Sequence, residues 1–230
     1  MLKKVALVVL AIIAVLLVVI ATRPDTYRVQ RSTTVTAPPA LVFGLVNDFH
    51  QWAPWSPWGK LDPNMKQTYD GPSAGVGAIY FWSGNDKVGE GRMTITESVP
   101  PERIVIKLEF IKPWEGNNVT TFTFAPQGDA TQVTWVMDGT NNFMGKAVTL
   151  FMNMDSMIGK DFELGLAQLK STAETAVRER AAAAAANPPA NSPTDAPAAP
   201  AAAPAIPPPV VPPTALKPDA PATKPPAPAP

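Results

Sequence analysis

The sequence contains no cysteine and only one histidine, His50, among its 230 residues. The missing thiols exclude disulfides, thiol catalysis and thiolate metal sites. A zinc site would need carboxylates for nearly all of its ligands, so we expect neither a metal nor another cofactor. His50 lies in an aromatic, proline-rich segment with Asp48 as its nearest acidic residue, and we expect it to be structural or solvent-facing.

An excess of charge is also missing. The chain has 19 basic residues (Lys and Arg) and 19 acidic residues (Asp and Glu). The terminal segments contain four of the lysines and two of the aspartates. The central part of the chain therefore has two more acidic than basic residues. This balance provides no basic surface for nucleic acid, so we expect no nucleic-acid partner.

One long apolar run is present, from Val5 to Ala21, and it follows Lys3 and Lys4. As a helix it would cross most of a hydrocarbon core of about 30 Å. Residues 1–22 are therefore either a signal peptide, cleaved to export the domain, or a transmembrane signal-anchor. We favour the anchor, because the apolar region of a signal peptide usually has about 7–15 residues. We expect a single pass through the cytoplasmic membrane by residues 5–21, with the domain on the extracytoplasmic side.

Proline is concentrated at the other end of the chain, where it supplies 17 of the 44 residues from Asn187 onward. This composition cannot build a core, so residues 181–230 are predicted to be an Ala/Pro-rich disordered tail, of which Ala181–Ala186 can extend the preceding helix. The alternative is a docking arm for an envelope protein, centred on Pro207–Pro212.

Residues 23–180 are predicted to form one α+β domain. Short strands are indicated between Tyr27 and Asp138, one of them from Val76 to Trp82. Two short helices follow the first strand, and Pro39 suits the first turn of the earlier one. The strand Arg103–Phe110 alternates cleanly between apolar and charged residues, as in an antiparallel sheet with one buried face. One long helix follows, with its apolar stripe at Met154, Ile158, Phe162, Leu166, Leu169, Ala173 and Val177. We expect a curved antiparallel sheet of about six to seven strands wrapped on this helix.

The inward faces of the sheet and the helix give the best candidate for a ligand cavity. Aromatic and Met side chains suit an adaptable apolar pocket, although they could equally fill the core. The predicted ligand-binding residues are Tyr80, Trp82, Met93, Ile95, Glu97, Phe110, Phe122, Trp135, Met137, Met157, Phe162 and Leu166. Trp52, Trp55 and Trp58 would either form a lid or close one end of the core.

Glu97 is the one candidate for acid/base chemistry. In a regular strand it would lie on the same face as Met93 and Ile95 and therefore point inward. It could also lie in water at the end of its strand. No pair of carboxylates occurs at a defined spacing, so we expect no catalytic constellation.

Several motifs together resemble the SRPBCC superfamily. They include Trp55-Ser-Pro-Trp58, Gly89-x-Gly91-x-Met93-Thr-Ile-Thr-Glu97 and Asp161-Phe-Glu-x-Gly165. The likeness covers about Tyr27 to Ala176 and is greatest to bacterial members described as START-like or polyketide cyclase/dehydrase. It implies a helix-grip fold, in which a curved sheet grips the C-terminal helix around an apolar cavity. Members include lipid and hormone binders as well as cyclases.

Three functions remain open. The first is binding of a hydrophobic small molecule or lipid by a domain tethered to the bacterial membrane. The second is a polyketide cyclase/dehydratase-like enzyme that uses Glu97 and Tyr80. The third is a scaffold that acts through its Pro-rich tail. We favour the first, because the sequence offers an apolar row and no catalytic set.

Overall fold

The computed structural model describes residues 1–150 and 153–186. Its elements, in chain order, are α1 Leu2–Ala21, β1 Thr26–Val35, α2 Pro39–Asn47, 3₁₀ turns at Phe49–Gln51 and Trp58–Lys60, β2 Lys66–Asp70, β3 Ile79–Ser83, β4 Glu90–Val99, β5 Arg103–Lys112, β6 Gly116–Gln127, β7 Ala130–Thr140, α3 Phe143–Val148 and α4 Met154–Ala186.

The seven strands form a single antiparallel sheet in the order β1-β7-β6-β5-β4-β3-β2. The predicted α+β class, the antiparallel sheet and the long C-terminal helix are confirmed. One predicted boundary is wrong. The strand expected from Val76 begins at Ile79, because Gly75 and Gly77 both have positive φ, of 80° and 89°. Positive φ lies outside the strand region, so these residues form a turn.

The two ends of the sheet differ in what is attached to them. The chain arrives from α1 at Thr26, which pairs with Thr140 at the end of β7. The β3–β4 and β5–β6 turns lie at this same end, which we call the entry end. The opposite end, the far end, holds Val35 and the β6–β7 turn.

Helix α2 follows β1 at the far end and packs against β5, β6, β7 and α4. Pro39 begins it, as predicted from the fit of proline to the first turn of a helix. Val42 and Val46 of α2 are fully buried in a cluster with Phe122, Leu166 and others of the sheet and α4. The far half of the domain is therefore a packed core.

Helix α4 is attached to the edge strand β1 by polar contacts along its length. Arg31 binds Asp155 through Nη1 at 2.9 Å and Glu163 through Nε at 2.7 Å. Gly159 lies between these acids on α4, and a Cβ there would overlap the Arg31 guanidinium. Further along, Lys170 Nζ donates to the Thr34 carbonyl at 2.9 Å. The helix thus closes over the concave face of the sheet from the β1 side.

The N-terminal helix α1 is long and apolar enough to cross a membrane. Almost all of its side chains are exposed, and Ile20 near its end is the buried one. Its last turn lies against α3, where Lys146 Nζ approaches the Ala21 carbonyl at 3.5 Å and forms an ion pair with Asp25. The predicted docking arm, Pro207–Pro212, lies outside the described residues.

Candidate ligand-binding cavity

A cavity of about 410 Å³ lies between the sheet and α4 in the entry half of the domain. Its volume falls within the roughly 300–1,000 Å³ of small-molecule sites. Strands β2 to β7, the start of α4 and the Trp52–Gly59 segment all contribute to its wall. The predicted residues found on the wall are Tyr80, Trp82, Met93, Phe110, Trp135, Met137, Met157 and Phe162. Their role in binding stays a prediction.

Three other predicted lining residues lie elsewhere. Ile95, Phe122 and Leu166 are buried in the far half and are absent from the cavity wall. They have the inward parity that the sequence indicated. However, they belong to the same buried cluster as Val42 and Val46 of α2, so they pack in the core instead.

The sequence left two positions open for Glu97, and the structure shows the exposed one instead of the inward one assumed in the predicted ligand-binding set. A β-bulge between Ile95 and Glu97 shifts the register, so that Glu97 lies opposite the outward-facing Val105. Its carboxylate binds Arg103, with Nε at 3.0 Å from Oε1, and its side chain keeps 40% of its exposure. A bulge adds one residue to one strand and thereby reverses the parity beyond it. Glu97 is consequently outside the cavity, and the candidate acid/base group is lost.

The tryptophans of the α2–β2 segment have two roles. The indole N–H of Trp52 donates to the Val46 carbonyl at 2.9 Å, and that of Trp55 donates to Leu45 at 3.2 Å. Both are buried, in agreement with the core-closing alternative. Trp58 is half-buried on the cavity wall, edge-on to Trp135 at 5.8 Å between ring centroids.

Two aromatic rings on the wall lie over glycines of the neighbouring strand. Trp82 is directly opposite Gly91, and Tyr27 is directly opposite Gly139. A Cβ on either glycine would overlap the facing ring. These pairs could not be recognised from the sequence, because a glycine is informative here only once the strand register identifies its partner.

The wall also carries hydrogen-bonding groups. Tyr27 Oη donates to Asn118 Oδ1 at 3.0 Å, so the amide nitrogen of Asn118 remains as a donor. Thr120 lines the same wall. The buried indole N–H of Trp135 has no acceptor among the described residues. The Asn118 amide and the Thr120 hydroxyl on the wall favour a ligand that carries an oxygen acceptor.

The tyrosines show that this region is poorly solvated. Burial, with a smaller contribution from Tyr69, raises the pKa of Tyr80 to about 12. Burial likewise raises the pKa of Tyr27. Desolvation disfavours the phenolate, so both side chains stay neutral at ordinary pH and act as polar contacts.

His50 lies outside this cavity. Its Nδ1 is 2.8 Å from Asp48 Oδ1, and its ring stacks on Tyr69 at 4.1 Å. Its side chain keeps 49% of its exposure, and it borders a smaller pocket of about 280 Å³. This matches the expected solvent-facing histidine.

Comparison with solved structures finds chains of low sequence identity. Protein CV1439 from Chromobacterium violaceum shares 22% identity over 66% of this chain and 98% of its own, with a TM-score of 0.48. The Aha1 dimer from Colwellia psychrerythraea shares 13% over 64% and 96%, with a TM-score of 0.48. The di-domain ARO/CYC BexL from the BE-7585A biosynthetic pathway shares 14% over 68% and 52%, with a TM-score of 0.48.

No curated protein matches the chain. A family model does, over residues 26–174, and its description is polyketide cyclase / dehydrase and lipid transport. The match extends from the first strand of the sheet into α4, so it contains the whole cavity wall. It confirms the SRPBCC resemblance and the helix-grip fold. Because this match covers well over half of the sequence, the chain belongs to the polyketide cyclase / dehydrase and lipid transport family.

Proposed function

We propose that the domain binds a hydrophobic small molecule or one chain of a lipid in the cavity, while α1 holds it at a membrane. The observation that carries the proposal is the apolar void in the entry half of a domain whose far half is closely packed. Native interiors leave few voids larger than a water molecule. A void of about 410 Å³ is therefore a feature to be filled by a ligand.

The lining supports a ligand that is mostly apolar. Trp82, Met93, Leu108, Phe110 and Met137 line the cavity from neighbouring strands. Burying apolar ligand surface against them would contribute roughly 25 cal/mol per Å². The volume is at the lower end of the usual range, which favours a single acyl chain or a fused-ring molecule over a whole two-chain lipid.

The donors on the wall suggest the polar part of this ligand. The Asn118 amide and the Thr120 hydroxyl both lie along β6. A carbonyl, ester or carboxylate oxygen would satisfy them, and a pure hydrocarbon would leave them unpaired. Fatty acids, fatty esters and polyketides have this composition. The family description names lipid transport and polyketide substrates, which is consistent with the assignment.

The membrane tether is the second part of the proposal. Helix α1 has the length and composition of a membrane span and presents almost no polar surface. A single-pass anchor would keep the domain next to a reservoir of apolar ligands. The extracytoplasmic side remains our preferred location.

The test fills the cavity from two neighbouring strands. Met93 of β4 and Leu108 of β5 are directly paired and both line the cavity, so Met93→Trp with Leu108→Trp should occupy much of it. The matched control is Thr94→Trp with Lys107→Trp, the adjacent pair on the outer face. Uptake of a fluorescent long-chain fatty acid is measured on residues 23–186, after circular dichroism confirms the fold.

We expect the unmodified domain and the outer-face control to take up the fatty acid. The cavity-filled variant should lose at least about tenfold in affinity. Equal affinity in the two double variants, or no uptake of fatty acid, fused-ring or polyketide probes by the unmodified domain, would contradict the proposed function.

A further inference from the structure

The entry end of the domain carries an unusual set of exposed apolar side chains. Trp114 in the β5–β6 turn is 76% exposed, and Ile111 at the end of β5 is 42% exposed. In α3, Phe143 and Met144 are 52% and 62% exposed. Large apolar groups clustered on a surface indicate an interaction site, whereas isolated ones do not.

The mouth of the cavity is at this same end. Trp114, Phe110 and Met157 line the cavity and are also exposed, so they form its rim. The three residues come from the β5–β6 turn, the end of β5 and the start of α4. The apolar surface therefore surrounds the opening through which a ligand would pass.

The chain itself keeps this end close to α1. Helix α1 ends at Ala21 and β1 begins at Thr26. Even fully extended, the intervening Thr22–Asp25 reaches only about 14 Å. If α1 spans a bilayer, the entry end must remain within this distance of the membrane surface. No other end of the domain can approach the membrane as readily.

Two basic groups at this end are already paired with acids. Lys112 is paired with Glu90 at 2.8 Å, and Lys146 is paired with Asp25. Basic groups that are already neutralised have little attraction left for anionic lipids. Exposed Trp, Phe and Met, by contrast, suit the boundary between headgroups and acyl chains, where tryptophan is enriched.

We propose that the entry end docks on the bilayer that holds α1, with Trp114 inserted at the headgroup level and the cavity mouth facing the lipid. An apolar ligand would then pass between bilayer and cavity without crossing water, which avoids the cost of exposing its apolar surface. The inference rests on the tether of the proposed function and adds the orientation of the domain.

The absence of cysteine makes a direct test possible. Glu115→Cys places one thiol beside Trp114, and Asp129→Cys places one in the β6–β7 turn at the far end. Both are exposed acidic residues in turns between strands. Each variant of the full chain is labelled with the environment-sensitive fluorophore NBD and reconstituted into vesicles of zwitterionic phospholipid. Quenching by nitroxide-labelled phospholipids then reports contact with the lipid itself.

We expect quenching at position 115 to exceed that at position 129 severalfold, and to change little when salt is added or anionic lipid is included. Adding Trp114→Ser to the Glu115→Cys chain should reduce the quenching, and because Trp114 is exposed the substitution leaves the core intact. Equal quenching at the two positions, or none at 115, would overturn the docking.

The fatty-acid uptake assay separates this inference from the proposed function. Quenching at 115 together with unchanged uptake in the cavity-filled variant would leave the docking intact and refute the cavity as the binding site. Loss of uptake in that variant without quenching at 115 would have the opposite meaning.

Discussion

The far half and the entry half of the domain are formed by the same strands and the same helix, yet one is solid and the other is hollow. Strand β5 passes through both. Ile106 is fully buried in the core cluster that includes Val42 and Val46 of α2. Two residues further along the same face, Leu108 is half-buried and lines the cavity.

The difference between the halves comes from α2. This short helix lies between the sheet and α4 only at the far end, where β1 delivers it. At the entry end no helix among the described residues takes the equivalent place, and a cavity remains between the sheet and α4. The strand pattern thus decides which side chains face inward, and the layer above decides whether they are packed.

The largest expected effect compares the two halves on β5. Ile106→Ala should lower the free energy of unfolding by about 2–5 kcal/mol, because it opens a void in a close-packed core. Leu108→Ala should cost about 1 kcal/mol, because the side chain already borders a void and is only half-buried. Urea denaturation of residues 23–186 measures both. Equal losses would show that the two halves are packed alike.

Most of the fold could be predicted because it follows from local patterns. The alternation in Arg103–Phe110 and the helical stripe from Met154 to Val177 assigned the correct faces to β5 and α4. Pro39 identified the start of α2. None of these patterns depends on knowing which strands are neighbours.

The candidate site was less predictable because it depends on contacts between distant segments. The alternation of inward and outward residues along a strand places both Phe122 and Trp135 inward. It does not show that Phe122 packs in the core while Trp135 lines the cavity. The bulge that turns Glu97 outward leaves no clear mark in its own strand. The pairing of Trp82 with Gly91 requires the register, and the exposure of Trp114 requires the position of its turn.

The glycine beneath Trp82 offers the next test. Gly91→Ala should destabilise the domain by about 1–3 kcal/mol, because the new methyl group overlaps the Trp82 ring and the Glu109 carbonyl oxygen. Gly116→Ala is the control, since the nearest atom to its added Cβ is 3.8 Å away and both glycines have ordinary φ. The control should stay within about 0.5 kcal/mol. Thermal and urea unfolding distinguish the two outcomes. A harmless Gly91→Ala would mean that Trp82 does not rest on the strand.

The third prediction concerns how much water enters the cavity in the entry half. The pKa of Tyr80 is raised to about 12, so the unfolded chain ionises this phenol first, near pH 10. Between these values the folded chain holds the extra proton, and its stability must fall as the pH rises. Below about pH 10 the phenol is neutral in both states and adds no pH dependence.

Titration of tyrosinate absorbance checks this prediction. Tyr80→Phe should remove the highest step and reduce the loss of stability at high pH, whereas Tyr69→Phe should leave that step in place. If every tyrosine of the folded chain titrates near pH 10, water enters the cavity freely and the contrast between the halves is weaker than the structure indicates.

The smallest effect is expected in the solid half. Gly44 lies within α2, and an added Cβ there meets no atom within 4 Å. Gly44→Ala should therefore raise the free energy of unfolding by about 0.5–1 kcal/mol, through the better helix propensity of alanine. Because α2 lies away from the cavity, fatty-acid uptake should not change. Unfolding and uptake measured on the same preparation give the answer. A gain in stability with a loss of uptake would show that α2 must loosen for the ligand to enter, and the two halves would then be coupled.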